Sequence, residues 1–163
     1  MRADGQLDAT DARLLLALNE RPRATVLALA EELGLSRNTV QARLTAMDER
    51  GALLPFERRV DPAVLGHPLT AVITVHVLQQ MLDEVAVALA EVPEVVEVVG
   101  VSGDADLLVR VAAVDADDLY RVAGQILATD GIERTRTALV MRTLIAYRTA
   151  PLLSRVAGVQ PPS

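Results

Sequence analysis

The chain has 163 residues, 51% of them apolar and 23% charged, a globular composition that excludes a disordered polymer and leaves room for one ordinary domain or two small ones. Aromatic residues make up 2% (Phe56, Tyr120, Tyr147), which argues against reading nucleic acid on a stacking platform, and the lack of cysteine excludes disulfides, thiolate nucleophiles and zinc held by thiolates. The net charge of −6 is uneven: residues 1–60 carry nine Arg against nine Asp or Glu, and residues 61–163 carry seven against thirteen.

No apolar run approaches the roughly 18–20 residues of a membrane span, and the opening Met1–Gly5 has no hydrophobic signal region, so a soluble, cytoplasmic protein without a membrane partner is expected. The first half reads as helix. Asp8 is placed to cap a helix with Leu14, Leu15 and Leu18 on its apolar face, ended by Arg21-Pro22-Arg23. Thr25 caps a second helix that turns Leu29, Ala30 and Leu33 inward. Gly34 gives a tight turn, and Ser36 caps a third helix to about Glu49, with Val40, Leu44 and Met47 at spacings of four and three. Three short helices with a glycine turn before the last match a helix-turn-helix.

Residues 53–60 are extended in character and offer a wing carrying Arg58 and Arg59; Asp61-Pro62 and Gly66-His67-Pro68 mark a linker. From Leu69 to Val77 the period becomes two, which predicts a half-buried strand. A helix follows over 80–91 with Leu82, Val85, Ala86 and Leu89 inward. Next come a strand from Val95 to Val101, a hairpin turn at Ser102–Ala105 and a strand from Asp106 to Val114. Asp115 caps a helix that turns Leu119, Val122, Ala123, Ile126 and Leu127 inward, and a long strand is expected over 132–147. This βαββαβ order predicts an antiparallel four-stranded sheet with both helices on one face. Val72, Val140 and Leu144 are expected on the other face, to be covered by a second subunit. The fold class is therefore α+β: a winged helix-turn-helix domain over 1–52, a strand and linker over 53–68, a ferredoxin-like βαββαβ sandwich over 69–148, and a tail over 149–163. In that tail Leu152, Leu153 and Val156 are placed to pack on a neighbour, and the closing Gln-Pro-Pro-Ser is expected to be disordered.

The run Leu7-Asp8 … Asp11-Arg13, the stretch LALAEELGLSRNTVQARLTAMDERGAL (27–53), VDPAVLG (60–66) and VPEVVEVVGVSGDADLLVRV (92–111) together resemble the Lrp/AsnC, or feast/famine, family of transcription regulators. The resemblance runs from about residue 6 to 147. Its most specific elements are the LGLS turn into V-x-x-R-L and the S-G-D-x-D hairpin between two valine-rich strands. It implies a DNA-binding domain joined to an α/β sandwich that senses amino acids and assembles the chain into dimers, often octamers.

On the third helix the wheel places Asn38, Gln41, Ala42 and Thr45 outward. Asn and Gln can bond adenine edges, and Ala or Thr can touch a thymine methyl. Arg37 and Arg43 lie on the flanks for phosphates, and Ser36 and Thr39 can donate to phosphate from the helix start. Segment 33–47 holds two Arg and no carboxylate, as a surface facing double-stranded DNA requires. Arg21 and Arg23, like Arg58 and Arg59, are secondary phosphate candidates, with solvated surface arginine as the plain alternative.

In the hairpin Ser102-Gly103-Asp104-Ala105-Asp106, glycine permits close approach to backbone N–H groups that can hold a carboxylate, and Asp104 or Asp106 can meet an α-amino group. The plain alternative is a turn that only shapes an interface. In the resembled family this hairpin contributes to the amino-acid site at a contact between dimers, and Thr135 and Thr137 match positions near the effector. Ala105 stands where the family often has an aromatic, which widens or weakens the pocket. His67 and His76 have no partner at metal-ligand spacing, and no nucleophile elbow, P-loop or dinucleotide fingerprint occurs, so no catalysis, metal or cofactor is expected. The expected function is a sequence-specific, homo-oligomeric DNA-binding regulator modulated by an amino acid or related small molecule. Two alternatives are a chromosome-architectural protein that wraps DNA and an amino-acid-sensing regulatory subunit of an enzyme.

Overall fold

The computed structural model describes residues 6–160. The chain forms two units: one runs up to Pro55 and takes in the C-terminal segment from Ile145, and the other is Phe56–Leu144.

The first unit begins with α1 (Ala9–Glu20), α2 (Val26–Leu33) and α3 (Arg37–Glu49). Each starts at the expected capping residue. Asp8 Oδ1 accepts from the N–H groups of Thr10 and Asp11, both at 2.8 Å, and Asp11 Oδ2 accepts from the Asp8 N–H at 3.2 Å. The two side chains thus satisfy each other's end of the first turn. Thr25 Oγ1 accepts from Ala28 N–H at 3.2 Å, and Ser36 Oγ accepts from Thr39 N–H at 3.1 Å. Gly34 ends α2 at φ 66°, in the left-handed region that glycine enters without penalty, and this sets the sharp turn into α3. Leu14, Leu29, Val40 and Met47 are fully buried at the centre, with Leu44 packed beside them.

The segment expected as an extended wing is not a strand. Phe56–Arg59 and Pro62–Leu65 are single 3-10 turns, because Pro55 and Pro62 remove ladder donors and favour turn geometry. Arg58 sits in the first turn and pairs with Glu97 at 2.7 Å.

The second unit holds β1 (Leu69–Val77), α4 (Leu82–Ala90), β2 (Val95–Gly100), β3 (Leu107–Ala113), α5 (Ala116–Leu127) and β4 (Ile132–Leu139). The sheet order is β2-β3-β1-β4 with antiparallel neighbours throughout. Ala71, Ile73, Val75 and Val77 alternate into a core with Val109 and Val111 of β3, and Val85, Leu89, Val122 and Ile126 bring both helices onto that same face. Two inward assignments differ: Ala86 and Leu127 are exposed. The opposite face is mixed, with Val72, Leu108 and Val99 beside Arg110, Arg134, Arg136 and Glu97.

β4 is shorter than expected. The Val140 N–H donates to Thr70 O at 2.8 Å, and β1 begins at Leu69, so no partner strand remains for residues 141–147. Val140 is thus the last residue bonded to β1, and Leu144 falls outside the sheet. The segment read as a tail contains α6 (Ala150–Ala157), which packs along α1. Of the closing Gln-Pro-Pro-Ser, Gln160 is exposed and outside any helix or strand, and Pro161–Ser163 lie outside the described residues.

Candidate nucleic-acid interface and effector hairpin

On α3 the side chains of Arg37, Asn38, Gln41, Ala42 and Thr45 are exposed, as is the cap Ser36, while Val40 and Met47 are fully buried on the opposite side. The exposed set forms one strip two to three turns long, the width an α-helix presents to a major groove. Gln41 Nε2 donates to Thr45 Oγ1 at 3.4 Å, and Ser36 and Thr39 share a hydroxyl hydrogen bond at 2.8 Å. Each of these polar groups therefore has a local partner that an incoming base or phosphate can replace.

Arg43 is placed differently from Arg37. It is half-buried, and its Nη1 donates to Asp8 Oδ2 and to Asp11 Oδ1, both at 2.8 Å. Arg50 Nη2 adds a bond to Asp11 Oδ2 at 3.3 Å. Hydrogen bonds from Asp11 N–H and the Arg43 guanidinium hold the Asp8 carboxyl below its ordinary range, and the two carboxylates raise Arg43. Asp8, Asp11 and Arg50 carry a role here beyond the capping that the sequence signals for the aspartates; spacing along one helix gives no hint of a contact 32 to 39 residues away. Among the secondary candidates, Arg21 pairs with Glu32 and Arg23 is exposed.

The hairpin follows β2. Gly103 has φ 128° with open space around its Cα, so a side chain there strains the backbone without meeting a neighbour. Ser102, Gly103 and Asp104 are exposed, and Ala105 and Asp106 are half-buried. The two carboxylates differ in kind. Asp106 Oδ2 accepts from Val77 N–H at 3.0 Å and Oδ1 accepts from Gln79 Nε2 at 2.7 Å, while its own N–H donates to Val75 O at 3.1 Å. Asp106 thus ties the hairpin to the end of β1, and Gln79 is the partner that sequence reading missed. Asp104 stands at the tip, in solvent.

Thr135 and Thr137 lie on β4, opposite Val75 and Ile73, so both point to the helix-covered side. β1 separates them from the hairpin strand β3, which sets them about 10 Å from it across two strand spacings. Within one chain the structure does not bring these threonines and the hairpin tip together. Among the described residues, no helix is long and apolar enough to cross a membrane.

A family model for the AsnC-type helix-turn-helix domain matches residues 7–48, and one for the Lrp/AsnC ligand binding domain matches residues 70–150. The HTH-type transcriptional regulator FL11 of Pyrococcus horikoshii is 31% identical over 137 residues, 84% of this chain and 91% of its own length. The HTH-type transcriptional regulator AldR of Mycolicibacterium smegmatis is 32% identical over 142 residues, 85% of this chain and 83% of its own length. Among solved structures, a feast or famine regulatory protein from M. tuberculosis complexed with L-methionine superposes with a TM-score of 0.77 at 28% identity, covering 88% of this chain and 97% of that one. A capped three-helix unit that exposes an acid-free strip, followed by a βαββαβ sheet with its Gly-Asp hairpin, thus has relatives that match it across nearly its whole length, and the chain belongs to the Lrp/AsnC family of transcription regulators.

Proposed function

We propose that the protein binds duplex DNA through the exposed strip of α3, acts in the cytoplasm as a homo-oligomer, and changes its activity when an amino acid occupies the hairpin of the second unit. The observation that carries the first part is the strip itself: Arg37, Asn38, Gln41, Ala42 and Thr45 are exposed together on a helix whose first three turns hold no carboxylate. Asn38 and Gln41 suit base edges, Ala42 and Thr45 suit thymine methyls, and Ser36, Thr39 and Arg37 suit phosphates at the helix start. Arg21 and Arg23 flank α2 and add affinity rather than specificity.

The effector part is supported by the division of labour in the hairpin. Asp106 is already bonded twice and keeps the turn in place, which leaves Asp104 as the carboxylate for a ligand's ammonium, with backbone N–H groups at Ser102–Asp104 for its carboxylate. A hairpin tip is only one wall of a pocket. A second subunit supplies the other wall, and Thr135 and Thr137 contribute from there. Ligand occupancy then shifts assembly by its differential affinity for the arrangements.

A thermal-shift screen against the twenty amino acids tests this. A ligand at about 100 times its Kd stabilises by about 2.7 kcal/mol, a shift of several degrees for a chain of this size. Asp104→Asn should abolish most of that shift while leaving the unliganded midpoint in place. No shift with any amino acid would contradict the sensing role.

A further inference from the structure

Arg43 is the one arginine of α3's outward flank whose guanidinium is already committed. One nitrogen, Nη1, bridges Asp8 and Asp11, and Arg50, two turns on, holds the second oxygen of Asp11. Neither carboxylate is loose. Asp8 is fixed by the two N–H groups that it caps, and Asp11 is 8% exposed and bonded to the Asp8 N–H. The cluster of two carboxylates and two guanidiniums is neutral, so it releases few counterions from a phosphate backbone. It also lines the same shallow groove as Asn38, Thr39 and Ala42. A phosphate reaching for Arg43 would have to approach both anchored carboxylates.

We propose that Arg43 is a positioning residue rather than a phosphate contact: with Asp8, Asp11 and Arg50 it clamps α3 to the first turn of α1, and the clamp sets the angle at which Asn38, Gln41 and Thr45 meet the bases. The proposal rests on α3 being the recognition helix, and deepens that assignment. A helix held at one end of its exposed strip reads bases in register. With the clamp released, the outward residues still meet DNA, but over a range of tilts, and the loss falls on the cognate site more than on other sequences. Because one nitrogen makes both bonds, a lysine ammonium at position 43 can replace it, whereas a neutral side chain cannot.

The test is binding of the full-length protein to a selected duplex and to a scrambled one, over a series of salt concentrations. Asp8→Asn is the informative variant, since asparagine caps a helix as well as aspartate does, while its amide NH2 offers Arg43 no acceptor, so the cap is kept and the bond to the clamp is lost. The clamp requires Asp8→Asn to lower the ratio of cognate to scrambled affinity roughly two- to fivefold, in line with a partly exposed ion pair. Arg43→Gln should do the same, Arg43→Lys should restore the specificity ratio, and Arg37→Ala should lower both affinities and flatten the slope by about 1. If Asp8→Asn tightens binding to both duplexes equally and keeps their ratio, Arg43 is a phosphate ligand freed from competition and the clamp is refuted. An unchanged ratio in Asp8→Asn refutes it. If the unaltered protein does not prefer any selected duplex, the recognition-helix assignment itself fails, which separates the two.

Discussion

Asp8 shows how one side chain serves two levels of the fold. It caps α1 through Oδ1 and ties α3 to α1 through Oδ2. The hydrogen bonds that lower its pKa favour the ionised form, so its contribution is fully present above the ordinary aspartate range and is lost as the pH falls through the depressed value. Asp8's share of the thermal midpoint should therefore be constant above about pH 5 and be lost below about 4, and Asp8→Asn should blunt the acid limb by that share. The neutral-pH cost of Asp8→Asn should stay under about 1 kcal/mol, because the side chain is 45% exposed and solvent screens the pair. Asp8→Ala should cost about 1 kcal/mol more through the lost cap. Calorimetry across this pH series checks both. The capping half of this role was legible in the sequence, since Asp, Thr and Ser before an apolar run have a local meaning. The clamp was not, because it joins residues whose proximity is created by the packing of three helices.

At the scale of elements, local pattern succeeded where partner and period agree. β1 was read to the residue, because its alternation continues for as long as β3 and β4 flank it. β4 is shorter than its sequence predicts, because alternation along one strand says nothing about where its neighbour stops. α6 was missed for the opposite reason. Two of its three conspicuous residues, Leu152 and Val156, are exposed, at 59% and 43%, while Leu153 is half-buried beside the small residues Ala150, Ser154 and Ala157, at spacings of four and three. Ser154 on α6 and Ala12 on α1 are both fully buried, so the helices approach closely where bulky residues would hold them apart. The Ser154 hydroxyl has no hydrogen-bond partner among the described residues. Ser154→Ala should thus raise stability, by up to about 1 kcal/mol, by removing an orphaned polar group. Ser154→Leu should lower it by about 1–3 kcal/mol through overpacking. Chemical denaturation of both variants checks this, and a Leu variant as stable as the parent would show that α6 does not rest on α1.

At the scale of the molecule, the order of a helical unit and an α/β unit was legible in the change of period near Leu69 and in the shift of charge. The return of the C-terminal segment to the first unit was not, because no composition signal marks it. That return means the ligand-binding unit is covalently continuous with the DNA-binding unit at both of its ends, near Pro55 and near Ile145. The open face of the sheet is mixed, with Val72, Val99 and Leu108 apolar beside Arg110, Arg134 and Arg136. The central claim, that α3 reads sequence, is tested most directly by the ratio of cognate to scrambled-duplex affinity at about 0.15 M salt. A sequence-reading regulator should show a ratio of roughly a thousand or more. A ratio near one would point to a DNA-wrapping protein and contradict the account, and so would the absence of binding even at low salt.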